Sequence, residues 1–234
     1  MIVLATRRLL LVLALLCAGL VSNAGAAPAA EPWVASRDNL MVVVRETVGA
    51  DKQDEVLAPI GKSKIKLADG REVDFQTAWF DFIGDTHIRF VFDGPTSMRG
   101  ATSQELEKLN VANVDDALAL ALANVERVYG EPKATPWVGG VMIVAGKSPD
   151  LDSTYFLDRA FWRNLLKSHP EGVVVAVPKR GGLLYAPASD AESVQGLRKG
   201  VAQLHASSGS LRVSSALYLF KDDKWSVFQS AVKP

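Results

Sequence analysis

The sequence predicts an α+β fold: a mainly antiparallel sheet with several packed helices, in a single domain. Three observations carry this. Short runs of alternating apolar and polar residues come in pairs joined by tight-turn residues, as hairpins do. Between the pairs lie segments with apolar residues at helical spacing and polar caps at their starts. No internal repeat and no second low-complexity linker divides the chain.

The chain opens with the pattern of a secretory signal. Arg7 and Arg8 precede an apolar stretch, Leu9 to Val21, and Ala24-Gly25-Ala26 supplies a small-residue cleavage site. A spanning helix needs about 20 apolar residues, so the stretch is too short for an anchor. Residues 1–26 are therefore expected to be removed, leaving a protein exported to the periplasm or beyond the cell with no transmembrane segment. Residues 27–36, Ala- and Pro-rich at their start, are expected to be a flexible lead-in, and residues 37–234 the α+β domain.

Cleavage removes Arg7, Arg8 and no acid, so the mature chain holds 24 basic residues against 26 acidic, a net charge of −2. That balance predicts neither nucleic acid nor a membrane surface as a partner. The single cysteine, Cys17, leaves with the leader, which excludes disulfides and thiolate chemistry from the mature protein. Stability must come from the core that the remaining 208 residues can build.

Leu40, Val43, Val44 and Val48 fit one helical face and predict a helix over residues 38–48, with a buried strand over 41–44 as the alternative. Residues 64–77 predict a hairpin. Ile65 and Leu67 alternate with lysines, Asp69-Gly70 supplies the turn, and Val73, Phe75 and Thr77 alternate with Glu72, Asp74 and Gln76. Ile88, Phe90 and Phe92 predict a strand ending at Asp93-Gly94-Pro95. Thr102 and Glu105 form a capping box for a short helix, and Asn113 caps a longer one with a stripe of Val114, Leu118, Ala121, Leu122 and Val125.

Further along, residues 138–145 predict a strand, and 152–169 a largely covered helix with Asp152 and Ser153 at its cap. The stretch VVVAVPKRGGLLYAP, residues 173–187, predicts two strands around a basic, glycine-rich centre. Residues 191–205 predict a helix, and 217–220 with 225–228 a closing hairpin.

Two places have residues of the kind that carries chemistry. Lys179 and Arg180, followed by Gly181 and Gly182, offer cations and backbone amides to an anion. A phosphate loop normally leads into a helix, however, and here a strand follows, so a hairpin tip with glycines at positive φ is the expectation. Lys179 and Arg180 remain the candidate ligand-binding residues. His87 and Arg89 share one strand face and could meet Asp93 or Asp85, a set suited to acid/base work in a cleft. His87, Arg89 and Asp93 are the candidate catalytic residues, against the simpler reading of a wet strand face. No metal site is predicted: Asp150 and Asp152 lack the glycine and distal glutamate of a calcium loop. No cofactor motif and no serine elbow occurs.

The order of these pieces resembles the YtpQ-like family, a bacterial domain of unknown function, over about residues 85–229. The resemblance rests on Asp93-Gly94-Pro95 and the short helix after it, Ala123-Asn124-Val125, the run Leu-Asp-Ser-Thr-Tyr-Phe-Leu at 151–157, and Trp162. It continues through Val175-Ala176-Val177-Pro178 with Arg180 and Leu183-Leu184, then residues 215–220 and 225–228. It implies the fold and carries over no catalytic residue; the family is mainly cytoplasmic, whereas this chain has an export signal. The expectation is an exported, non-catalytic binding or interaction protein whose partner is a protein or a small molecule. The alternative is a hydrolase using the carboxylates and histidine between Asp85 and Asp93.

Overall fold

The computed structural model describes residues 34–232. The leader and most of the lead-in lie outside them; at the lead-in's end, Ser36 is already tied to Asn39 by backbone and side chain. The fold is α+β, built on two antiparallel sheets.

The first sheet holds β1 (Leu40–Glu46), β2 (Ala58–Lys66), β3 (Glu72–Asp81), β4 (Thr86–Asp93) and β5 (Met98–Gly100), in the order β1-β4-β3-β2 with β5 also on β4. Residues 38–48 are thus a short 3-10 turn and a strand, not the helix their spacing suggested. Leu40 to Val44 are all buried, so both strand faces are covered, and a continuous apolar run reads equally as helix or strand. Among the described residues β1 has one strand neighbour, and side chains complete its other edge. Asn124 Nδ2 donates to the carbonyls of Leu40 and Arg37, at 2.9 and 2.7 Å, and Thr154 Oγ1 donates to that of Val42 at 3.0 Å. The expected hairpin is present and longer than its sequence pattern, with Lys66 opposite Glu72 and Ala58 opposite Asp81. Gly70, at φ 85°, makes its turn.

One face of this sheet carries Leu40, Val42, Val44, Ile88, Phe90, Phe92 and Phe80. Near Phe80 it meets α1 (Ser103–Lys108) and α2 (Val114–Tyr129), whose Leu106 and Ala117 share a small hollow with that ring. Both expected caps hold: Thr102 and Glu105 form the box, and Asn113 accepts from Asp116 N. The register places Arg45 opposite His87, and Val43 and Trp79 on either side of Arg89, so the other face carries a histidine and two arginines.

The second sheet runs β11-β10-β8-β9-β7-β6, from β6 (Lys133–Pro136), β7 (Met142–Ala145), β8 (Val173–Lys179), β9 (Gly182–Pro187), β10 (Leu217–Lys221) and β11 (Lys224–Gln229). The strand expected over 138–145 is half turn: Val138 is exposed, and a short edge strand, β6, precedes it. On one face α4 (Ala191–Ser207) packs Val194, Leu197 and Val201 against Val174, Ala176, Leu184 and Leu217. The other face is aromatic. Here the expected helix over 152–169 divides into a 3-10 segment (Pro149–Leu157) and α3 (Arg159–Leu166), because Asp158 stops the first and caps the second by accepting from Phe161 N. Phe156 packs against Phe82 of the first sheet's turn and against Tyr218 and Trp225 of the second sheet. Asp152 is no helix cap: its carboxylate accepts from Gly146 N at 2.9 Å, and Ser153 Oγ, also expected at a cap, is buried without a partner among the described residues.

The quoted stretch is a hairpin, with Lys179 opposite Gly182. Neither glycine of its tip has positive φ, contrary to expectation. Gly181 is required for space: a Cβ there would lie 2.7 Å from the carbonyl oxygen of Pro149. Both backbone groups of Arg180 are bonded, its N–H to Leu211 O and its carbonyl to Ser153 N, so the tip is clamped between neighbouring segments.

Candidate functional site

β1 and β4 are adjacent strands, and residues of one face alternate along each; Arg45, His87 and Arg89 follow from that register. The clamped hairpin tip adds Arg180. Arg45 and Arg180 line a cleft of about 520 Å³ together with Val43, the loop from Asp93 to Met98, Tyr129 and the start of the 3-10 segment. The structure therefore brings Arg180, expected as a ligand residue, near the strand face of His87 and Arg89, expected as a catalytic pair.

The hydrogen bonds determine the state of His87. It is 4 % exposed. Arg89 Nε donates to its Nε2 at 2.8 Å, and an arginine only donates, so Nε2 is the acceptor. The ring proton then sits on Nδ1 and is donated to Thr47 Oγ1, 2.8 Å away. Burial, then Arg89, then Arg45 hold the His87 pKa down to about 4, so the ring is neutral at pH 7. The Arg89 guanidinium lies 3.8 Å from the centre of the Trp79 ring, a cation–π contact that fixes its plane.

Among the described residues no carboxylate forms an ion pair with Arg45, Arg89 or Arg180. Arg45 donates from one Nη to its neighbour's carbonyl, Val44 O, at 2.7 Å. Arg180 reaches Ser210 O only at 3.5 Å, and its Nε is buried without a partner. Burial, then Arg180, then Arg89 push Arg45 down to about 10; burial and then Arg180 lower Arg89. Three guanidinium groups thus repel one another, and most of their donors have no protein acceptor among the described residues. Such a cluster is suited to hold carboxylate or phosphate oxygens, which guanidinium forks match in pairs.

Asp93 lines this cleft as well, whereas Asp85 stands elsewhere. Asp93 Oδ2 accepts from Tyr129 OH at 2.7 Å. Asp85 is buried, and its Oδ1 accepts from Ser214 Oγ and Tyr218 OH at 2.5 and 2.9 Å, with Ser214 Oγ also accepting from Ala216 N. Burial raises the Asp85 pKa against these two hydrogen bonds. This polar knot ties the turn after β3 to the start of β10. Lys179, the other expected ligand residue, is the strand partner of Gly182 and bridges to Arg212. A second hollow, of about 300 Å³, lies beside Glu46, His205 and Arg212; there Glu46 lies 3.1 Å from His205 Nε2 and 3.6 Å from Arg212 Nε. Arg212 thus has a carboxylate partner, whereas Arg45 and Arg180 have none among the described residues.

The sequence reading passes over Arg45, which the helical spacing of 38–48 hid. Read as a strand, Met41, Val43 and Arg45 alternate, and an arginine ending an otherwise apolar face is the signal that was there to find. Among the described residues no group of three or more His, Cys, Asp or Glu side chains is placed to hold a metal ion. Nor is any helix among them long and apolar enough to cross a membrane. No family model, curated protein or solved structure matches the chain.

Proposed function

We propose that this is an exported binding protein that takes a small anionic ligand in the cleft lined by Arg45 and Arg180, with Arg89 close to both. The observation that carries the reading is the absence of an acidic partner for these three guanidinium groups among the described residues. Unmatched like charges destabilise a folded chain, and a bound anion relieves that cost while using the idle donors. Arg89 is held in place by its bond to neutral His87 and by its contact with the Trp79 ring. The export part rests on the leader pattern of residues 1–26, and the resemblance to the YtpQ-like family is kept on the stretches quoted above.

Calorimetric titration of the purified protein with phosphate, sulfate and simple carboxylates at low ionic strength tests the binding. Saturable heat is expected, weakened at least tenfold, by about 1.4 kcal/mol, in Arg45→Gln and in Arg180→Gln. Equal heats in wild type and both variants would remove the cleft as the site. Intact mass of the protein from its producing cell tests export, with a chain beginning near Ala27 as the expected product.

A further inference from the structure

We infer that the ligand of this cleft is a zwitterion, with a carboxylate-like group at the arginine end and an ammonium group toward Asp93 and Asp150. The inference rests on the anion-binding reading above and adds the second half of the ligand. The cleft that holds Arg45 and Arg180 is also lined by these two carboxylates. Neither is in an ion pair among the described residues. Asp93 receives one neutral donor, the Tyr129 hydroxyl, on Oδ2, and Asp150 is exposed at the start of the 3-10 segment.

Carboxylates in the wall of a site for a plain anion would repel it, whereas the same groups attract a ligand that carries its own cation at the far end. Among the described residues no carboxylate lies within ion-pairing distance of Arg45 or Arg180, so the acidic and basic groups lining the cleft do not cancel one another as pairs. The volume, about 520 Å³, falls in the range of small-molecule sites. Free amino acids, ω-amino acids and short peptides have the required chemistry. Tyr129 orients the Asp93 carboxylate, leaving Oδ1 without a side-chain donor among the described residues.

Matched pairs differing only by an ammonium group make the test: acetate with glycine, propionate with β-alanine, butyrate with 4-aminobutyrate, hexanoate with 6-aminohexanoate. Each is titrated calorimetrically into the purified protein at pH 7 and low salt. At one chain length or more, the ammonium compound is expected to bind about tenfold tighter than its partner. Asp150→Asn should remove most of that preference while leaving the plain carboxylate bound as well or better. Its unaltered melting point would confirm an intact fold. If the carboxylates bind, Arg45→Gln weakens them and the ammonium group adds nothing at any length, the zwitterion inference falls and the anion reading stands. If none of these compounds or inorganic anions binds, both fall.

Discussion

His87 is the residue whose chemistry the fold alters most plainly. Its folded pKa, about 4, lies below the ordinary 6.5, so between these values the unfolded chain takes up a proton that the folded chain refuses. The stability contributed by the neutral ring is complete above about pH 6.5 and is lost as pH falls toward 4, on the order of 3 kcal/mol in all. Asp85 acts in the opposite sense, since a carboxyl with a raised pKa gains as pH falls. Comparison with a variant isolates the histidine. Urea unfolding followed from pH 7 to pH 4 should show wild-type stability falling more steeply than that of His87→Gln, whose side chain keeps a donor and an acceptor but takes up no proton. Parallel curves would mean that His87 does not refuse its proton.

At the scale of elements, stability depends on polar side chains that serve backbone groups. Asn124 is buried in α2 and holds two carbonyls beside the open edge of β1. Asn124→Leu should cost about 1–3 kcal/mol in chemical unfolding, and Thr154→Val, which leaves Val42 O unpaired, a similar amount. The same logic moves the sensitive glycine of the hairpin tip. Gly181→Ala forces a Cβ against Pro149 O and is expected to cost about 1–3 kcal/mol, whereas at Gly182 a Cβ meets the Lys179 side chain, which can give way. Equal melting points for the two alanine variants would refute this placement.

These contacts also mark the limit of what the sequence discloses. The hairpins at Asp69-Gly70 and at Lys179 to Gly182, the Thr102–Glu105 box and the Asn113 cap were legible because each is set by residues a few positions apart. The strand at Leu40 to Glu46 was legible only as the alternative to a helix, since its character depends on pairing with the distant β4 and on covering from both sides. The break at Asp158 was hidden by the apolar run around it. In the candidate site, His87, Arg89 and Arg180 could be picked out by residue type, but their meeting with Arg45 depends on strand register and on a clamp from Leu211 and Ser153.

Across the whole molecule, balanced charge conceals a local cluster of arginines. Acidic and basic residues are equal in number over the full sequence, yet Arg45, Arg89 and Arg180 lie close enough together to lower the pKa of Arg45 and Arg89, and none has an ion-pair partner among the described residues. If their repulsion is uncompensated until a ligand arrives, binding and stability must trade against each other at these positions. Arg45→Gln retains the stem and a donor for Val44 O while removing the charge. Without ligand it should melt above the wild type, by an amount worth about 1 kcal/mol, despite having lost a polar contact. Added sulfate should then raise the wild-type melting point by mass action and leave that of the variant nearly unchanged. A variant that melts lower than wild type, and responds to sulfate just as strongly, would show Arg45 to be a structural arginine in an already satisfied environment.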